Sequence, residues 1–171
     1  MKIQVKFGMR IVKTILAVLL SIVITEIYGG NSFFAVIAAI LCMQKDPREG
    51  YDRGLIRVKG TLIGGAFGLI SLLLFQALHI QYQSIPYLLI VAFMAAPIIN
   101  LNLWLSSPKT ARFSCVVYYS VVIGKFQGLE PFLYVGGRML DTMTGIGVAL
   151  LINYIFPSTM HPIDLLDEEV Q

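Results

Sequence analysis

The stretch GRMLDTMTG, Gly137–Gly145, sits inside an otherwise apolar run from Pro131 to Phe156. On a helix, Arg138, Asp141, Thr142, Gly145, Ala149 and Asn153 fall three or four positions apart, so they share one face. If the run crosses a bilayer, a charge near its centre costs about 2.5–3.5 kcal/mol on insertion scales, so such groups normally face a bundle interior or water. The chemistry this face offers is anion recognition, because a guanidinium holds a carboxylate through two parallel hydrogen bonds. A plainer reading places Arg138 among lipid headgroups, with Asp141 as its partner at i, i+3.

A second face has the same spacing. RVKGTLIGGAFGLISLLLF (Arg57–Phe75) aligns with RMLDTMTGIGVALLINYIF (Arg138–Phe156) through R-x3-T-x2-G, and Leu69/Leu150 and Phe75/Phe156 also coincide. RIVKT at Arg10–Thr14 repeats the R-x3-T start. Arg57, Thr61, Gly64 and Gly68 thus face one way, and Gly60-x3-Gly64-x3-Gly68 extends a small-xxx-small pattern whose ordinary use is close helix packing. PIINLNLWL (Pro97–Leu105) adds Asn100 and Asn102 beside a proline, where amides bridge helices or touch a substrate. The residues proposed to bind substrate are therefore Arg138, Asp141, Thr142, Asn153, Arg57, Thr61 and Asn100. Tyr118 and Tyr119 offer rings for stacking or packing, and Glu26 is a candidate proton-linked group.

No catalytic or metal-binding constellation is expected. Cys42 and Cys115 lie in apolar segments and read as buried thiols, and His79 and His161 have no ligand spacing with them. The loop acids Asp46, Glu49 and Asp52 alternate with Lys45, Arg48 and Arg53, which reads as solvated charge. No phosphate loop is present, so neither an enzyme nor a cofactor is expected, and direct ATP drive is disfavoured. Basic runs interleaved with aromatics are absent too, so nucleic acid is not an expected partner.

These side chains must be positioned by membrane helices. Apolar residues make up 57% of the 171-residue chain and charged residues 13%, against about 45–50% and about 25% in soluble proteins. A core of this size could not hide so much apolar surface from water, whereas lipid can. A helical crossing needs roughly 20 apolar residues. Gly60–Leu78 and Pro86–Leu105 satisfy this cleanly. Pro97 should kink the second of them, and Trp104 should anchor its end at the interface. Ile11–Tyr28 is a crossing if Lys13 snorkels, ended by the turn Gly29-Gly30-Asn31. It follows a basic segment as a signal peptide would, but TEIYGGNS has no A-x-A cleavage pattern, so a retained helix is expected. Ser32–Gln44 and Phe113–Gly124 are short crossings, and the last lies within Pro131–Phe156.

Placed this way, Met1–Lys13, Lys45–Lys59 and Ser106–Arg112 hold eleven of the thirteen basic residues. The positive-inside rule then sets both ends in the cytoplasm, in a multi-pass protein of the plasma membrane. The fold expected is all-α: six transmembrane helices as one membrane domain over residues 1–157, and a short acidic cytoplasmic tail over 158–171. If the third and sixth helices are equivalents, the halves have opposite orientation, a 3+3 inverted repeat of the type recurrent in transporters. Arg10, Lys13, Arg57 and Lys59 flank the cytoplasmic mouth, where basic groups anchor to anionic lipid and raise the local anion concentration.

GMRIVKTILAVLL, FFAVIAAILCMQ, R-x3-GTLIGG and the final R-x2-DT-x2-G with Asn153, taken in order, resemble the aromatic acid exporter family and its fusaric-acid-resistance-like membrane domain. The resemblance runs from Phe7 to Phe156. Plant aluminium-activated malate transporters, which are anion channels, belong to the same broad superfamily. The resemblance implies a six-helix bundle that exports or conducts organic anions, aromatic acids among them. Many larger members carry two such domains or a long cytoplasmic region, so two copies are expected to associate as a homodimer. The alternatives are an anion channel of similar architecture and a membrane assembly protein that uses its glycine faces.

Overall fold

The computed structural model describes residues 9–44, 46–105, 107–124 and 130–156. These form α1 (Met9–Ile27), α2 (Ser32–Cys42), α3 (Pro47–Ala77), α4 (Ile85–Phe93), α5 (Ala95–Trp104), α6 (Pro108–Val122) and α7 (Pro131–Ile155), with no strand among the described residues. The protein is all-α, as expected. The acidic tail expected at 158–171 lies outside the described residues.

Helix α1 is amphipathic in the reverse sense to a soluble helix. Its buried residues are Lys13, Ala17, Ser21 and Thr25, one per turn, while Ile15, Leu19, Ile22 and Val23 are exposed. In water that arrangement would forfeit the hydrophobic driving force, whereas against hydrocarbon it loses nothing. Gly29 ends the helix with φ +71°, a left-handed conformation that glycine adopts without steric cost. Asn31 then caps α2, accepting the Phe33 N–H at 3.1 Å.

Helix α3 begins at Pro47 rather than near Gly60, so the charged stretch expected as a loop is largely helical. The reason is local. Asp46 caps the helix by accepting the Arg48 N–H at 2.9 Å, and Pro47 fills the first turn, where a missing N–H is harmless. The span expected at Pro86–Leu105 is broken at Met94 into α4 and α5. Pro97 cannot donate to the Phe93 carbonyl four residues back and its ring crowds it, so the ladder is interrupted one turn before the proline. Among the described residues, three helical stretches, Arg48–Ala77, Ile85–Trp104 and Pro131–Ile155, are long and apolar enough to cross a membrane. The other three expected crossings fall short of that standard for visible reasons. Helix α1 carries Arg10, Lys13 and Glu26, α2 has only 11 residues, and α6 has 15 and includes Lys109 and Arg112.

Two packed pairs dominate the bundle, α3 on α6 and α2 on α7, with α3 and α7 also in contact. One core cluster joins α1, α2 and α7 through Ala17, Ala38, Cys42, Ile146, Ala149 and Ile152. The other joins α3 to α7 through residues including Leu72, Phe75, Tyr87, Ile98, Tyr118 and Val135. Glycine sets the closeness of both pairs. A Cβ at Gly64 would strike the Ser114 carbonyl of α6, and one at Gly145 would strike the Ala35 carbonyl of α2.

Candidate functional site

Between the two helix pairs lies a cavity of about 220 Å³, lined by Arg57 and Thr61 of α3, Arg138 and Thr142 of α7, Phe33, Phe34 and Ile37 of α2, and Phe113, Val116, Val117 and Ser120 of α6. Four of the seven residues expected to bind substrate therefore meet at one place. R-x3-T spacing puts each arginine one helical turn from its threonine, and the packing of α3 and α7 brings the two faces together.

Each guanidinium lies over a phenylalanine ring. Arg57 Cζ is 5.0 Å from the Phe113 centroid, and Arg138 Cζ is 3.7 Å from that of Phe34. Both distances fall inside the roughly 6 Å reach of a cation–π contact. Arg138 also donates from Nη2 to the Tyr134 hydroxyl at 3.3 Å. Further donors have no partner: Arg57 Nε and Arg138 Nη1 are buried without a hydrogen bond. Leaving a buried charged donor unsatisfied costs more than the about 1–3 kcal/mol of a neutral group. Two such donors line one cavity, and a carboxylate is a group whose acceptors match the geometry a guanidinium presents.

Asp141 serves a different purpose from the one expected. It does not pair with Arg138. It is 2% exposed, and its two oxygens accept from the Tyr28 hydroxyl at 3.0 Å and the Asn31 N–H at 3.1 Å. The carboxylate thus ties α7 to the turn between α1 and α2. Gly30 is required beneath this tie, because a Cβ there would meet the Asp141 carboxylate and the Tyr28 ring.

The remaining expected residues lie elsewhere. Asn153 is buried, with both side-chain amide atoms unpartnered; a Cβ on Gly50 would come within 2.8 Å of its Nδ2. Asn100 is exposed, and its neighbour Asn102 is the buried one. Asn102 Nδ2 donates to the Ile98 carbonyl at 2.7 Å, and its Oδ1 accepts from Ser114 at 3.3 Å, bridging α5 to α6. Tyr118 packs in the core and accepts from Ser71. Glu26 is exposed.

A larger chamber of about 670 Å³ adjoins the first. It lies between the opening turns of α3 and α6 and is lined by Glu49, Asp52, Arg53, Lys109 and Arg112, with Leu41 and Ile56. It shares Arg57, Phe113 and Val116 with the smaller cavity.

The phenylalanines were not singled out from the sequence. A signal was present, because Phe34-Ala-Val-Ile37 and Phe113-Ser-Cys-Val116 align as F-x2-aliphatic, each upstream of an R-x3-T-x2-G helix. Apolar matches of this kind are common in membrane segments and carry weight only once the arginines are seen above the rings.

The family described as Aromatic acid exporter family member 1 matches residues 5–156. Among curated proteins, a UPF0421 protein of Oceanobacillus iheyensis is 29% identical over 153 residues, covering 90% of this chain and 41% of the relative. A UPF0421 protein of Bacillus cereus is 28% identical over 151 residues, covering 88% and 40%. One from Halalkalibacterium halodurans is 31% identical over 83 residues, covering 48% and 23%. The chain thus spans about two fifths of the length of the first two relatives. No solved structure matches it. With the match running through both arginine helices and the whole described bundle, the chain belongs to the aromatic acid exporter family.

Proposed function

We propose that the chain forms the membrane domain of an exporter of organic anions, aromatic acids among them, working as a homodimer in the plasma membrane. One observation carries the reading. Guanidinium groups from two different helices line a single small cavity, and each keeps a buried donor without a partner. The volume, about 220 Å³, is below the about 300–1,000 Å³ of sites for drug-sized ligands. It suits a single-ring or short-chain acid, with the two phenylalanine rings offering apolar faces and the arginines and threonines the polar contacts.

The arrangement also supports six crossings as a 3+3 inverted repeat. Arg57 over Phe113 and Arg138 over Phe34 are counterparts under the alignment of the two halves, as are Gly64 against the Ser114 carbonyl and Gly145 against the Ala35 carbonyl. The dominant pairs, α3 with α6 and α7 with α2, exchange under the same alignment. The charged chamber at the start of α3 and α6 then lies at the cytoplasmic surface, where Arg53, Lys109 and Arg112 gather anions before they reach the inner cavity.

The test is flux of a hydroxybenzoate-like acid from proteoliposomes. Reversing the charge with Arg138→Glu abolishes flux while the protein still assembles in detergent. Arg138→Lys keeps the charge but loses the planar fork, so flux falls without vanishing. Flux unchanged in Arg138→Glu would remove this cavity from the mechanism.

A further inference from the structure

Arg57, Phe113 and Val116 line both cavities, so Phe113 sits where the charged chamber and the arginine cavity adjoin. Phe34 lines the same inner cavity from α2. The two arginine–phenylalanine contacts are counterparts in sequence but unequal in geometry. Arg138 sits 3.7 Å over Phe34 and is also fixed by Tyr134. Arg57 sits 5.0 Å over Phe113, on the side where the 670 Å³ chamber opens. One contact is tight, the other loose, and the loose one borders open volume.

We propose that Phe113 and Phe34 are paired gates of the arginine cavity, and that this structure is the cytoplasm-facing state, with the Phe34 gate shut and the Phe113 gate ajar. Two inverted halves of similar sequence can exchange conformations, and rocking of one half against the other about a fixed site produces alternating access. The exchanged state has Arg57 close over Phe113 and Arg138 loosened from Phe34. An anion drawn between the guanidiniums competes with both rings for the same cations, so its arrival weakens whichever contact is closed. The inference rests on the transporter reading for its claim that an anion passes these gates.

Accessibility tests it without measuring transport. In a chain carrying Cys42→Ala and Cys115→Ala, a reporter Ser120→Cys is placed in the inner cavity and exposed to a membrane-impermeant maleimide from either face of sealed vesicles. Labelling is expected from the cytoplasmic face and absent from the other. Adding Phe113→Trp should abolish the cytoplasmic labelling, and adding Phe34→Ala should produce labelling from the opposite face. Equal labelling from both faces, labelling only from the outer face, or indifference to both phenylalanine changes would overturn the gates. Val117→Cys, lining the same cavity, replaces the reporter if Ser120→Cys does not assemble. Flux measured in the same vesicles separates the two ideas. One-sided access without flux of any acid sinks the export reading and leaves the gates standing. Flux that is lost in Arg138→Glu, together with access from both faces, does the reverse.

Discussion

Asp141 and Arg138 stand three residues apart on one helix and do unrelated work. The carboxylate is satisfied by Tyr28 and Asn31 across the α1–α2 turn, which leaves the arginine to the rings and the cavity. Removing the carboxylate takes its acceptor from the Asn31 N–H and one of two partners from the Tyr28 hydroxyl, which keeps Thr144 Oγ1 at 3.2 Å; an acceptor lost in this way costs up to about 1–3 kcal/mol where the group is buried. Asp141→Ala should therefore lower the thermal unfolding temperature in detergent, and Tyr28→Phe by less, since it leaves the bond from the Asn31 N–H to the carboxylate in place. Equal stability of Asp141→Ala and the parent would show that the tie contributes nothing. Sequence spacing put these two side chains on one face, and that much was legible. It could not choose between pairing at i, i+3 and reaching to another helix, because that choice depends on where a turn more than a hundred residues away docks. Asn100 and Asn102 repeat the lesson. Both adjoin Pro97 in sequence, but the rotation of α5 buries Asn102 against Ser114 and turns Asn100 outward.

At the scale of elements, glycines decide how near the paired helices come. Gly145→Ala would drive a methyl group into the Ala35 carbonyl, and Gly64→Ala one into that of Ser114. Backbone cannot yield as a side chain can, so each pair must part, with overpacking costs of about 1–3 kcal/mol. Gly147→Ala, with nothing within 4 Å of its added Cβ, is the control and should leave stability intact. Unfolding of the three variants in detergent checks the contrast; equal behaviour at positions 145 and 147 would remove the packing role. The R-x3-T-x2-G match marked these helices beforehand, while the partner carbonyls were beyond reach because a carbonyl carries no sequence signature. Helix limits were legible where capping chemistry is strong, as at Asp46-Pro47. They were misjudged where a hydrophobic window was used alone, which hid the first three turns of α3. Pro97 announced a break, and its missing N–H places that break at Met94.

For the whole molecule, apolar composition and basic-residue placement led to a membrane bundle, and family membership agrees with it. Three stretches meet the length and composition of a crossing unaided. The others fall short of it, α1 through its charges and α2 and α6 through their length. The six-crossing proposal predicts that reporter domains fused to either end become active only in the cytoplasm. Reporters on opposite sides would require an odd number of crossings and would separate the two halves of the proposed repeat.

Helix α1 has one more consequence. Its inward stripe of Lys13, Ala17, Ser21 and Thr25 and its outward rows of leucine and isoleucine invert the usual tolerance map of a protein segment. On the six-crossing proposal, a saturation mutagenesis screen read by membrane insertion would purge aspartate at Leu19 or Val23 while leucine-for-isoleucine swaps nearby passed unnoticed. At Ala17 or Ser21 bulky hydrocarbons would be the intolerable class. A stabilising programme borrowed from water-soluble enzymes, which plants charge outside and grease inside, would dismantle this helix one substitution at a time.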